Sequence, residues 1–143
     1  MRFVSPTTLC ALVFATYAFG VAAQQHDAGA HQHADAAKLK NPVAANAASL
    51  AAGKKLYDAQ CASCHGATGK GDGKGGELLK PKPSDMTDAE WKHGSTDGEI
   101  FTVIRDGSKQ TGMRAYGSRI PTNDIWNLVN YVRTLGPKTA KFQ

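Results

Sequence analysis

Cys61-Ala62-Ser63-Cys64-His65 constrains this chain more than any other stretch of it. Two thiols three positions apart, followed at once by an imidazole, put three ligand-bearing side chains on one short length of backbone. The thiols can add to two vinyl groups along one edge of a porphyrin, and the imidazole can then turn onto the iron. C-x-x-C-H is the spacing of covalent haem attachment. One haem c, joined through two thioethers from Cys61 and Cys64, is therefore expected. His65 is expected to be the proximal axial ligand, its other ring nitrogen held by a backbone carbonyl that fixes tautomer and orientation.

Other uses of the cysteine pair suit the rest of the chain poorly. A structural zinc site needs four ligands, commonly two such pairs, and only Cys10 stands outside this one. A thioredoxin-like redox pair expects a βαβ setting that the flanking sequence lacks. A disulfide closing so short a loop would add little stability.

Cys10 itself lies in a segment read as removed. Met1-Arg2 gives one positive charge, small and apolar residues run to about Gly20, and Val21-Ala22-Ala23 precedes Gln24, the pattern of a secretory signal peptide. Ser5, Pro6, Thr7 and Thr8 interrupt the apolar run and leave it short of the ~20 residues of a spanning helix. Residues 1–23 thus read as a cleaved signal directing the protein to the periplasm, with no stable membrane anchor. Thr8-Leu9 before Cys10 lacks the small residue of a lipoprotein cleavage site. Residues 24–45, with almost no large apolar side chain, read as a flexible His/Ala-rich leader. Its His26, His31 and His33 read as solvated rather than metal-binding. One domain over 46–137 follows, with a C-terminal tail at 138–143.

The formal charge is +5, and Lys54, Lys55, Lys70, Lys74, Lys80, Lys82 and Lys92 are scattered. A nucleic-acid footprint would be denser and interleaved with aromatics. The charge fits salt-sensitive steering of an acidic protein partner instead.

Asn46 reads as the N-cap of a first helix through about Ala59, with Leu50, Gly53, Leu56 and Tyr57 recurring at helical spacing. Gly53 costs that helix ~1 kcal/mol relative to Ala, which a close backbone crossing would justify. Gly66 to Gly76 reads as a surface loop. Its Gly71-to-Gly76 run formally fits G-x-G-x-x-G, but no strand precedes it and no helix opens from it. Pro81 and Pro83 force an extended path. Thr87-Asp88-Ala89-Glu90 reads as a capping box opening a short helix through Trp91. Thr96-Asp97-Gly98-Glu99 reads as a second, for a helix with Ile100, Val103 and Ile104 on one face that closes at Gly107. Thr122 is expected to cap a last helix bearing Ile125, Leu128, Val129 and Val132, which stops at Gly136-Pro137. The fold class is all-α, about four helices with long loops wrapped around the haem.

The sixth coordination position decides between a carrier and a site for small molecules. Met113 follows Gly112 on a loop between two predicted helices, with no periodic neighbours that demand it for packing. Met86 reads as a hydrophobic lid. Met113 is therefore the expected second metal ligand beside His65. Trp91 and Arg105 are candidate donors to a haem propionate. Trp126 reads as core, and His93 as exposed.

With these residues assembled, the chain from about Ala48 to Leu135 resembles the class I c-type cytochromes, the small periplasmic monohaem cytochromes of bacteria. The resemblance is carried by Gly53, Tyr57, Cys61-Cys64-His65, Pro81, Pro83, Met113 in a Gly-Met-x-x-Tyr loop, and Leu128 with Tyr131. It implies the cytochrome c fold, in which Gly53 lets the first helix cross the last with Tyr57 and Tyr131 packed at the crossing. It also implies that a carbonyl of Pro81 or Pro83 accepts the His65 proton. Arg114 stands where the family often has proline, implying a less rigid loop and a cation that favours the ferrous state.

The implied function is electron transfer rather than catalysis, between redox proteins such as a dehydrogenase, an oxidase or a respiratory complex, by a monomer or a subunit of a complex. Two other uses of the same chemistry stand beside it. One is a haem enzyme or sensor with a labile sixth ligand, for which no acid–base residue stands at a diagnostic spacing. The other is a cytochrome subunit permanently docked in a dehydrogenase or oxidase.

Overall fold

Asn46 opens the first helix as its side chain dictates, its carbonyl oxygen accepting the Ser49 N–H at 2.9 Å. The computed structural model describes residues 35–137 except 90, 92 and 93. Helix α1 spans Ala47–Gln60, a single turn α2 spans Ala62–His65, α3 spans Asp97–Asp106 and α4 spans Thr122–Leu135, with 3₁₀ turns at Ala36–Lys38 and Lys74–Gly76. Among the described residues, β-structure is limited to one bridge between Ser108 and Met113. The fold is the all-α one expected. No described helix is long and apolar enough to cross a membrane. The signal segment, the leader histidines, His93 and the C-terminal tail lie outside the described residues.

The architecture rests on the crossing of α1 and α4. A Cβ on Gly53 would stand 2.8 Å from Tyr131 Cβ and fall on the Asn127 carbonyl oxygen, so a residue that weakens an isolated helix is the one that lets these two touch. The Tyr57 and Tyr131 rings meet beside it, centroids 5.3 Å apart at 56°. Below the crossing, Ile100, Phe101 and Ile104 of α3 pack against Ile125, Leu128, Val129 and Val132 of α4. Trp126 is core as expected, its ring stacked on Phe101 at 4.0 Å. Thr96 and Glu99 form the full reciprocal capping box at the start of α3.

Three expectations are corrected. No helix opens at Thr87: residues 87–89 form bends, because Asp85 captures both the Thr87 N–H, at 2.7 Å, and its hydroxyl, at 2.6 Å. A side chain committed upstream cannot cap downstream. The N-cap of α4 is Pro121, one residue before Thr122. Finally, residues 35–45, assigned by composition to the leader, are part of the folded unit. The Asn41 amide donates to Asn130 Oδ1 at 2.8 Å, and the Asn130 amide donates to the Val43 carbonyl at 3.1 Å and to Ser49 Oγ at 2.8 Å. Ala36 is buried where Gly98 leaves room at the start of α3. Composition fails here because paired amides, not apolar area, fasten this strap.

Candidate functional site

The end of α1 delivers the three ligand-bearing residues. The Cys61 N–H closes the helix on the Tyr57 carbonyl at 2.8 Å, and the Cys61 carbonyl then accepts from Cys64 at 3.1 Å and His65 at 2.9 Å. This short turn gathers both thiols and the imidazole as the spacing requires. Both thiols are free and half-buried. Burial, with Cys64 close by, pushes the Cys61 thiol up to about 12, so it is held as a neutral thiol.

The glycine-rich loop, read from sequence as surface, is the backing of this turn. Gly71 donates to the His65 carbonyl at 2.9 Å and Gly73 to the Cys64 carbonyl at 3.2 Å. A Cβ on Gly73 would stand 2.7 Å from the Cys64 carbonyl carbon, and one on Gly75 would stand 3.3 Å from Cys64 Sγ. Glycine at alternate positions 71, 73 and 75 was the available signal. It marks backbone lying flush against backbone rather than a phosphate cradle.

His65 Nδ1 lies 3.4 Å from the carbonyl oxygen of Ser84. The structure therefore assigns the orienting carbonyl to Ser84, not to Pro81 or Pro83, a correction of one residue. Pro83 acts by packing instead. Its ring lies against Gly76 and its carbonyl against Gly71, which fixes the extended strand of chain that carries Ser84 past the imidazole. Burial lowers the His65 pKa, with the Ser84 carbonyl pulling the other way. The imidazole is thus favoured in its neutral form, and with Nδ1 as donor the lone pair resides on Nε2.

Met113 is half-buried against the core. Its loop is closed by the Ser108 N–H donating to the Met113 carbonyl at 2.9 Å, and by Tyr116 and Gly117 donating to the Ile104 and Arg105 carbonyls at 3.1 and 2.9 Å. Tyr116, not singled out by its own chemistry in the sequence, donates its hydroxyl hydrogen to the Gln60 carbonyl at 2.9 Å. The two propionate candidates are engaged elsewhere. The Trp91 indole donates to the Asp88 carbonyl at 3.2 Å. Arg105 Nε and Nη2 both reach the Asp106 carboxylate at 2.7 Å, and the guanidinium lies 5.4 Å from the Phe101 centroid. Each of these donors has a local partner, three residues away for Trp91 and one residue away for Arg105.

The donor set fits a haem attached through two thioethers: two free thiols on one turn, and a neutral imidazole with Nδ1 on a carbonyl. Among the described residues no group of three or more His, Cys, Asp or Glu side chains is gathered for a bare metal ion. Iron carried in its own ring needs no such group.

Over residues 48–132 the chain matches the family described as Cytochrome C oxidase, cbb3-type, subunit III. It is 33% identical over 102 residues to the Cbb3-type cytochrome c oxidase subunit CcoP of Azospirillum sp. (strain B510), covering 67% of this chain and 32% of that protein. The chain spans between about a quarter and a third of the length of the curated oxidase subunits it matches. It is also 33% identical over 95 residues to cytochrome c-554(547) of Halothiobacillus neapolitanus, covering 62% of this chain and 99% of that protein. Among solved structures, it aligns at a TM-score of 0.63 and 27% identity with a chain of the Kuenenia stuttgartiensis reducing HAO-like protein complex, over 71% of this chain and 49% of that one. Cytochrome cL from Hyphomicrobium denitrificans shares the fold at a TM-score of 0.53 and 23% identity, over 66% and 51% of the two chains.

Proposed function

Because this chain belongs to the cytochrome c family, whose cofactor is covalently attached haem c, we propose that it is a periplasmic one-electron carrier that holds the haem through Cys61 and Cys64, with His65 and Met113 as axial ligands. When bound, the haem supplies the Fe(III)/Fe(II) couple. The observation that carries the reading is the His65 imidazole, its Nδ1 3.4 Å from the Ser84 carbonyl oxygen, on the same turn as two free thiols. Cys61 and Cys64 would hold the haem covalently, and Nε2 of His65 would be the nitrogen free to bind its iron. Met113 would supply the second iron ligand; a thioether there would raise the reduction potential relative to a second imidazole and leave no open position, which favours a carrier over an enzyme.

Export rests on the Met1–Ala23 pattern. The domain boundaries follow the chemistry, except that the folded unit begins at the strap before Asn46. A redox protein with an acidic face is the partner that the scattered lysines suit, and Leu78, 94% exposed between Glu77 and the Lys80–Lys82 segment, offers an apolar contact there. The near-complete coverage of cytochrome c-554(547) supports a carrier made of a single haem domain. The match to oxidase subunits supports a second reading, a domain docked permanently in an oxidase or dehydrogenase complex with the same electron-transfer chemistry.

The test is the optical spectrum of the exported holoprotein, oxidised and reduced, beside Met113→Ala. A low-spin wild type with a ferric sulfur-to-iron charge-transfer band that the substitution abolishes is expected. A high-spin wild type would move the assignment to peroxide or gas chemistry. Purification in a stable complex, rather than as a single chain, would favour the docked subunit.

A further inference from the structure

The loop that carries Met113 is held mostly by its own neighbourhood. Thr111 donates to Ser108, Ser108 to Met113, Tyr116 to Ile104 and Gly117 to Arg105. These bonds fix the loop to the end of α3. They do not fix it to the turn that carries the cysteines and His65, which hangs from the end of α1. Yet the spacing between those two bodies is what sets whether a sulfur can sit opposite an imidazole across one ring.

One described hydrogen bond spans that gap. Tyr116 reaches across 56 positions of sequence to the Gln60 carbonyl, at 2.9 Å. Gln60 is the last residue of α1 and the neighbour of Cys61. Its carbonyl belongs to the set that a helix end leaves without a regular partner, since Cys64, four residues on, donates to Cys61 instead. The tyrosine is well held: the residue is 8% exposed within the core, and its own carbonyl accepts from Arg119 at 2.8 Å and Ile120 at 2.9 Å. It lies three residues beyond Met113, in a loop where Arg114 supplies none of the stiffness of a proline.

We infer that the Tyr116 hydroxyl is a positioning group for the sixth ligand, tying the Met113 loop to the cysteine-bearing turn through the Gln60 carbonyl. The inference rests on the reading of Met113 as a ligand. A phenylalanine ring would fill the same place in the core, so the ring serves packing and the hydroxyl serves the tie. When the tie is lost, the loop spends more time with the sulfur off the iron, and an external ligand competes better for that position.

The experiment is titration of the ferric holoprotein with imidazole, in wild type, Tyr116→Phe and Ile120→Val, following the charge-transfer band, with denaturant unfolding of each. Ile120 is a core neighbour of Tyr116 with no polar group, so its truncation lowers stability without touching the tie. Tyr116→Phe is expected to bind imidazole about three- to tenfold more tightly than wild type, the factor that one lost hydrogen bond corresponds to. Ile120→Val is expected to bind imidazole as wild type does. Wild-type affinity in Tyr116→Phe would overturn the inference, and so would an equal gain in Ile120→Val, which would mean that affinity tracks stability. A wild type lacking the band that Met113→Ala should remove would overturn the ligand assignment itself, a separate failure.

Discussion

The Tyr57 hydroxyl donates to the carbonyl oxygen of Gly66 at 2.8 Å, from a ring with no exposed surface. Helix α1 thereby reaches past its own end to hold the residue that follows His65. Tyr57→Phe would keep the ring against Tyr131 and strand that buried carbonyl, a loss of about 1–3 kcal/mol. The pH dependence has a definite sign. Burial raises the Tyr57 pKa above its ordinary value of 10.0, so the folded state favours the protonated phenol. That contribution is fully present below pH 10 and is lost as pH rises toward the folded value. Urea unfolding of the holoprotein between about pH 8 and 11 should show stability falling above pH 10, more steeply in wild type than in Tyr57→Phe. Parallel curves would mean that this hydroxyl is not the group responsible.

At the helix crossing, two effects of opposite sign compete in Gly53→Ala. Alanine improves α1 by ~1 kcal/mol, while its methyl group must enter space held by the Asn127 carbonyl and Tyr131 Cβ. Backbone cannot swing aside as a side chain can, and overpacking of this kind costs about 1–3 kcal/mol. The variant should melt below wild type. A higher melting temperature would show that the two helices can part cheaply.

Asn130 is the hub of the strap, accepting from Asn41 and donating to Val43 and Ser49. Asn130→Ala removes all three bonds from a residue only 6% exposed and should cost about 2–3 kcal/mol. Asn41→Ala should cost less, and the double variant less than the sum. Hydrogen exchange at Val43, whose N–H bonds Asn41 Oδ1 at 2.9 Å, should quicken in both single variants. Additive losses would indicate independent contacts rather than one network.

Each cysteine accounts for one thioether. Cys61→Ala or Cys64→Ala should leave a haem with one vinyl group still conjugated, seen as a shift of the reduced pyridine adduct to longer wavelength. The double variant should release its haem to acidified acetone. Haem that resists extraction without both thiols would point to another attachment.

Much of this was legible because it is local or periodic. Cys61, Cys64 and His65 need only consecutive spacing, Thr96 and Glu99 cap each other across one turn, and Gly53 advertised its crossing by being a poor choice for a helix. What was missed depended on competition or distance. Ser84 and Pro83 are neighbours on an extended path, and sequence does not say which carbonyl faces the ring of His65. Thr87 carries a capping pattern, but Asp85 two residues earlier takes its hydroxyl. The strap escaped notice because Asn41 finds its partner far along the chain, beyond the reach of any window on composition.

That last distance has a temporal meaning. Asn41 and Asn130 are 89 positions apart, whereas the cysteine-to-histidine segment is contiguous. Contacts of such separation cannot form until most of the chain is present to close them. The attachment segment stands complete while the polypeptide is still open, and the strap and the α1–α4 crossing shut only once the final helix has arrived. Haem joined early would be enclosed by folding, not admitted after it.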